Sequence, residues 1–226
     1  MIFDPLYFIL IGPFFILGLL AQFWVSGAFR AGQNQRTSLS GFEVARRILD
    51  QEGLNNVRIE EIPGEALADH YDPSERVLRL SSAVYHGRNA SAVGVAAHEA
   101  GHALQHAQQY APLVVRNIAV PAAGLGSSIG IWMFILGMIF GSATLAWVGI
   151  ILFSAVVFFQ LVNLPVEFNA SSRAKYELAN MGVFSDAALS SVRTVLTAAA
   201  MTYVAATLQA IMTLVYLFMR TQESQE

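Results

Sequence analysis

Apolar residues gather in four long blocks along this chain rather than in the short alternations of a soluble domain. The blocks run from about Pro5 to Phe29, Ile118 to Phe140, Leu145 to Leu164 and Val195 to Met219. A helix crosses the roughly 30 Å hydrocarbon core of a membrane with about 20 apolar residues, and each block is of that length. Core helices of soluble proteins rarely run so far without a charge. The first block has no basic start and too long an apolar run for a cleaved leader. Only Gly141-Ser142-Ala143-Thr144 separates the second block from the third, which predicts a tight antiparallel hairpin. Gly124, Gly126, Gly130 and Gly137 punctuate the second block and predict close helix contact there.

Two polar regions remain, at about residues 30–117 and 165–194. An even number of spans puts both on one face. Twelve of the 13 basic residues lie in them, leaving only Arg220 for the other face. Cytoplasmic loops hold the positive charge, so both polar regions are predicted to be cytoplasmic and both termini outside. In a bacterium that means a multi-pass protein of the inner membrane. Within the first region, Ser40 is placed to cap an amphipathic helix carrying Phe42, Val44, Ala45, Ile48 and Leu49, with Gly53 as its stop. Val57–Ile62 and Arg76–Leu80 read as short strands, and Asp69-His70-Tyr71-Asp72-Pro73 between them as a turn. The pattern predicts a mainly α membrane protein of one domain, residues 1–226, with about four transmembrane helices and a small β-sheet in its polar part.

Composition narrows the chemistry. The chain of 226 residues is 55% hydrophobic and 13% charged, against about a quarter charged in an ordinary soluble domain. It has no cysteine, so a metal site would have to use histidine, carboxylate or water. A net charge of −3 leaves no footprint for nucleic acid.

Residues 90–109 are rich in alanine and free of proline, so they should be helical, and they contain His98-Glu99-Ala100-Gly101-His102. Positions four apart project from one helix face, so both imidazoles can reach a single ion. Zinc suits two imidazoles with an open position for catalysis, and Glu99 stands beside that position as a general base for water. His106 is a tempting third ligand. It lies eight residues beyond His98, about 12 Å along the helix axis, so it reads as a surface residue or a neighbour of the site. His70 and His86 read as ordinary exposed or turn histidines. Glu167, just past the third block, has two readings on its residues alone. It is either a functional acid at the mouth of a membrane helix, or a carboxylate favoured by a helix N-terminus that Pro165 opens.

Three stretches together carry a resemblance: Ala96–Gln105 with its His-Glu-Ala-Gly-His core, Asp69-His70-Tyr71-Asp72-Pro73, and Leu164-Pro165-Val166-Glu167-Phe168. They resemble the YugP-type family of bacterial membrane zinc metallopeptidases over nearly the whole chain. The resemblance implies a gluzincin-like catalytic region in which His98, His102 and Glu167 hold one zinc per chain, with Glu99 as general base. Related prenyl-protein-processing and heat-shock proteases place Glu-x-x-Ala-Asp at the third ligand. Here Ser171 stands where that aspartate would be. The family pattern also favours aspartate at position 169, whereas Asn169 offers a ligand histidine only a neutral amide oxygen.

Such an enzyme would cut peptides or membrane proteins beside the lipid bilayer. Arg173 and Tyr176 are candidates for the donor that steadies the oxyanion, with lipid-headgroup contact as the plainer role. Arg76–Leu80 is either an exposed edge for substrate pairing or an ordinary paired strand. The rival function is a membrane scaffold of weak or no proteolytic activity that keeps a zinc site. A transporter is disfavoured, because the spans hold almost no ionisable groups.

Overall fold

The computed structural model describes residues 4–63 and 68–223. Its elements run α1 (Pro5–Gln33), α2 (Gly41–Gln51), β1 (Arg58–Ile62), β2 (His70–Asp72), β3 (Val77–Ser81), α3 (Ser82–Tyr85), α4 (Ala90–Ala107) and α5 (Ala111–Leu125). A π-helical turn over Gly126–Gly130 leads into α6 (Ile131–Ile139), followed by α7 (Ala143–Asn180) and α8 (Asp186–Glu223). They form two compact units. One comprises Met1–Ala21, Pro112–Pro165 and Thr202–Glu226, and the other Gln22–Ala111 and Val166–Met201.

The long helices have the character of membrane spans. Four helical stretches are long and apolar enough to cross a bilayer: Pro5–Gln33, Ala111–Ile139, Ala143–Asn180 and Asp186–Glu223. Ile11, Phe134, Ile150, Phe153 and Leu217 are buried against one another, while Ile9, Ile139, Phe140 and Ile151 face outward. Large apolar side chains on the outside are stable only where lipid replaces water. Gly141, at φ +64°, turns the chain between α6 and α7 in a conformation that glycine adopts without strain. The hairpin packs closely: a Cβ on Gly137 would meet Ala146 N at 2.4 Å, and one on Gly126 would meet Leu152 O at 2.2 Å. A Cβ on Gly130 would lie 3.0 Å from Phe153 N, a looser contact. Gly124 departs from expectation, since open space surrounds it.

The second unit holds the polar regions. Ser40 caps α2 with a full capping box: its side chain accepts from Glu43 N, and Glu43 returns a bond to Ser40 N. Such a cap stabilises a helix by about 1 kcal/mol. Val44, Ala45, Ile48 and Leu49 of α2 are completely buried with Val93, Ala96, Ala97 and Ala100 of α4. The sheet has the order β1-β3-β2, with β1 parallel and β2 antiparallel to β3. Arg76–Leu80 is therefore no edge. Its counterpart β3 is the central strand, paired on both sides.

Two local expectations are corrected here. His70–Asp72 is a strand, and the turn falls one step later, at residues 73–76. Asp72 accepts from the backbone N–H groups of Ser74 and Glu75, so it starts the turn, while Asp69 is engaged by Ser81 N at 2.7 Å. The third apolar block ends near Leu164, but its helix does not. α7 continues through Pro165 to Asn180, so Pro165 opens no helix. Beyond the proline, Val166, Glu167, Ala170, Ser171, Ala174 and Leu178 keep one buried face at helical spacing, which supports the helix past the bond that proline cannot donate.

Candidate metal centre

Helix α4 presents the two histidines. Asn89 starts it, its side chain accepting from Ala92 N, and the small residues Ala96, Ala97, Ala100 and Ala103 allow close neighbours. Gly101 allows the closest of them. A Cβ there would lie 2.8 Å from Ala170 O and 3.3 Å from Ala170 Cα, so only glycine lets the backbone of α7 approach at this level. Glu167 and Ser171 flank Ala170 on that buried face.

The result brings His98, His102 and Glu167 together, with one potential ligand atom from each within 4.8 Å of the others. His98 Nε2 lies 3.2 Å, and His102 Nε2 3.7 Å, from the same oxygen of Glu167. Tetrahedral zinc with bonds of about 2.0–2.1 Å holds its donors about 3.3 Å apart, so the spacing fits that ion. The other ring nitrogens are occupied. Ser171 Oγ lies 3.1 Å from His98 Nδ1, and Gln105 Oε1 lies 3.0 Å from His102 Nδ1. Each imidazole thus turns its Nε2 inward, as metal-bound histidines do when an outer partner holds them. The donor set of two imidazoles and one carboxylate is one that zinc accepts.

Glu99 projects from the same helix and is buried. Tyr71 N donates to its Oε2 at 3.1 Å, so β2 holds one oxygen of the carboxylate. Burial pushes the Glu99 carboxyl above the ordinary carboxylate range, against the opposing pull of His102 and His98. At His102, burial acts to lower the pKa, but the hydrogen bond it donates to Glu167 and the charges of Glu99 and Glu167 outweigh it, and the direction is upward.

The remaining residues sit around this centre. Asn169 makes no bond to a histidine; its Oδ1 accepts from Gln105 Nε2 at 3.0 Å and from Arg173 Nε at 2.7 Å. Arg173 and Tyr176 line a cavity of about 400 Å³ with Glu52, Leu104, Gln108, Ser172 and Glu177; neither histidine nor Glu99 borders it. His106 Nδ1 is 2.9 Å from the hydroxyl of Tyr71 and outside the metal-binding group. His70 bonds to Ala68 O, and His86 to Glu61, both on the surface. Sequence reasoning missed Gln105, Ser171 as a partner of His98, and the amide of Tyr71. Spacing held a signal for two of them: Gln105 follows His102 by three residues and Ser171 follows Glu167 by four, so each shares a helix face with a candidate ligand.

The chain is similar to known proteins over most of its length. Residues 7–222 match a family described as "Putative neutral zinc metallopeptidase". A curated relative from Bacillus subtilis (strain 168), described as "Putative membrane protease YugP", is 50% identical over 194 residues, covering 85% of this chain and 86% of the relative. No solved structure matches significantly. With so nearly complete a match to both, the chain belongs to this family.

Proposed function

We propose that the protein is a zinc-dependent endopeptidase that hydrolyses peptide bonds, with His98, His102 and Glu167 as ligands of one zinc per chain and Glu99 as general base. The observation that carries this reading is the convergence of two imidazole Nε2 atoms on a buried carboxylate, with a second buried carboxylate, Glu99, on the same helix as the histidines. Zinc bound there would polarise water and the scissile carbonyl, which is its usual contribution to hydrolysis. Glu99 takes the proton of the attacking water and returns it to the leaving nitrogen. Its hydrogen bond from Tyr71 N occupies one oxygen and leaves the other for that proton. Burial raises its pKa above the ordinary carboxylate range, which makes the carboxylate a stronger proton acceptor.

Arg173 is engaged with Asn169, which favours a supporting role over direct contact with the oxyanion. Tyr176 is 65% exposed and suits contact with substrate or headgroups. The distribution of basic residues favours a bacterial inner membrane setting, with the centre facing the cytoplasm and both termini outside. The substrates would be peptides or membrane proteins presented at the bilayer. Chelation of the purified protein should abolish hydrolysis of an unfolded protein substrate, and about one zinc per chain should restore it. Activity that survives complete metal removal would exclude this function.

A further inference from the structure

His102 can bind a metal through Nε2 only if its proton sits on Nδ1. Nothing in the imidazole itself enforces that tautomer. The neighbouring group is an amide, and an amide can turn either end toward a ring nitrogen. Presented with Oε1, Gln105 requires a proton on Nδ1 and leaves the Nε2 lone pair free. Presented with Nε2, it would push the proton to the metal side of the ring and block the site.

The orientation of Gln105 is not left to chance. Its Nε2 donates to two oxygens of α7, Val166 O at 2.8 Å and Asn169 Oδ1 at 3.0 Å. A flipped amide would set three oxygens against one another in a place where Gln105 is completely buried, with no water to relieve them. Asn169 is itself an amide and could flip in turn. Arg173 prevents this: a guanidinium can only donate, and its Nε lies 2.7 Å from Asn169 Oδ1.

We propose that Gln105 is held in one direction by two acceptors, the Val166 carbonyl and an Asn169 oxygen that Arg173 keeps turned toward it, and that this hydrogen-bond relay holds His102 in the Nδ1–H tautomer, with Arg173, a residue that touches no ligand, strengthening the direction the Val166 carbonyl already sets. The inference rests on the metal-site reading above and adds positioning residues to it. A ligand histidine in many zinc sites is held by a carboxylate. Here the same task falls to neutral amides with one cation at the far end. Ser171 at His98 differs, because a hydroxyl both donates and accepts and so imposes no tautomer.

The relay also explains why Gln105 must be an amide. It accepts from His102 while donating to Val166 and Asn169, and among side chains of this length only glutamine does both. A glutamate there would face two oxygens of α7 with no proton to offer.

The test reads the tautomer directly, by ¹⁵N NMR of histidine-labelled, metal-free protein in detergent, above the pH at which His102 titrates. Zinc affinity by chelator competition is the second readout. Arg173 lines the surface cavity rather than the core, so Arg173→Met should fold. Wild type is expected to show His102 as Nδ1–H. Arg173→Met and Asn169→Leu should populate the Nε2–H form and weaken zinc by about 10–100-fold. Arg173→Lys, which still only donates, and Asn169→Asp, which can only accept when ionised, should keep the wild-type tautomer and affinity. An Nε2–H tautomer in wild type would overturn the relay, as would Arg173→Met and Asn169→Leu proteins with unchanged tautomer and affinity. Because the tautomer is read without metal, a wild type that shows Nδ1–H yet binds no zinc would sink the metal-site reading while the relay stands.

Discussion

Gly101 and Ala170 cross so closely that a single methyl group on the glycine would lie 2.8 Å from the alanine carbonyl oxygen. Both neighbours of that contact matter: Gly101 is next to His102 in sequence, and Ala170 lies between Glu167 and Ser171. Gly101→Ala should therefore force α4 and α7 apart at the level of the ligands. Overpacking of this kind costs about 1–3 kcal/mol of stability, and the looser centre should bind zinc about 10–100-fold more weakly. Gly94→Ala is the control, since its nearest neighbour is a Val192 methyl at 3.3 Å, a contact that can relax. Thermal unfolding and zinc titration of both variants check the contrast. Equal behaviour would show that the crossing does not set the site.

The third ligand is tested by comparing Glu167→Ala with His106→Ala. Glu167 offers one oxygen to both Nε2 atoms, whereas His106 is bonded to the Tyr71 hydroxyl. Glu167→Ala should purify with little zinc and no peptidase activity. His106→Ala should keep its zinc and measurable activity. Metal analysis of the two proteins decides the matter, and the reverse pattern would require a different site.

Acid should release the metal early. Zinc needs a neutral imidazole, and the pKa of His102 is raised above its ordinary value of about 6.5. Affinity should begin to fall at a pH above that value as protons compete for the ring. For the metal-free protein the sign is reversed: a raised His102 pKa stabilises the fold below the unfolded-state value, and that contribution is lost as pH rises through the folded-state value. Glu99→Gln removes one charge that holds the pKa up, so its zinc-binding midpoint should move to lower pH. Zinc titrations across the acid range measure both effects. A midpoint unmoved in Glu99→Gln would contradict them.

Topology gives an independent check. Reporter fusions after Arg36 and after Arg173 should read cytoplasmic, and a fusion at the C-terminus should read external. A cytoplasmic C-terminus would mean an odd number of spans and would overturn the proposed orientation.

What could be read from sequence follows from how local each signal is. The four apolar blocks are visible because lipid demands about 20 apolar residues in a row. The capped helix α2 is visible because Ser40 stands just before apolar residues at helical spacing. The histidine pair needs only helical spacing. Other features depend on partners distant in the chain. Asp69-His70-Tyr71-Asp72-Pro73 has turn composition throughout, yet pairing with β3 makes its middle a strand. Pro165 suggests a boundary, yet the buried face beyond it carries α7 onward. The choice between two readings of Glu167 could not be made from its own surroundings, because His98 lies 69 residues away. Gln105 bonds to Val166 and Asn169 of another helix, contacts that no local pattern reveals.

Hydrolysis of an unfolded protein substrate by zinc-loaded wild type and Glu99→Gln, matched for metal content, tests the proposed chemistry most directly. Glu99 is assigned to proton transfer and not to holding the ion, so above the acid range the variant should still load fully with zinc while losing roughly 10²–10⁴-fold in rate. A fully metallated Glu99→Gln protein that cuts the substrate as fast as wild type would contradict the assignment of Glu99 as the general base.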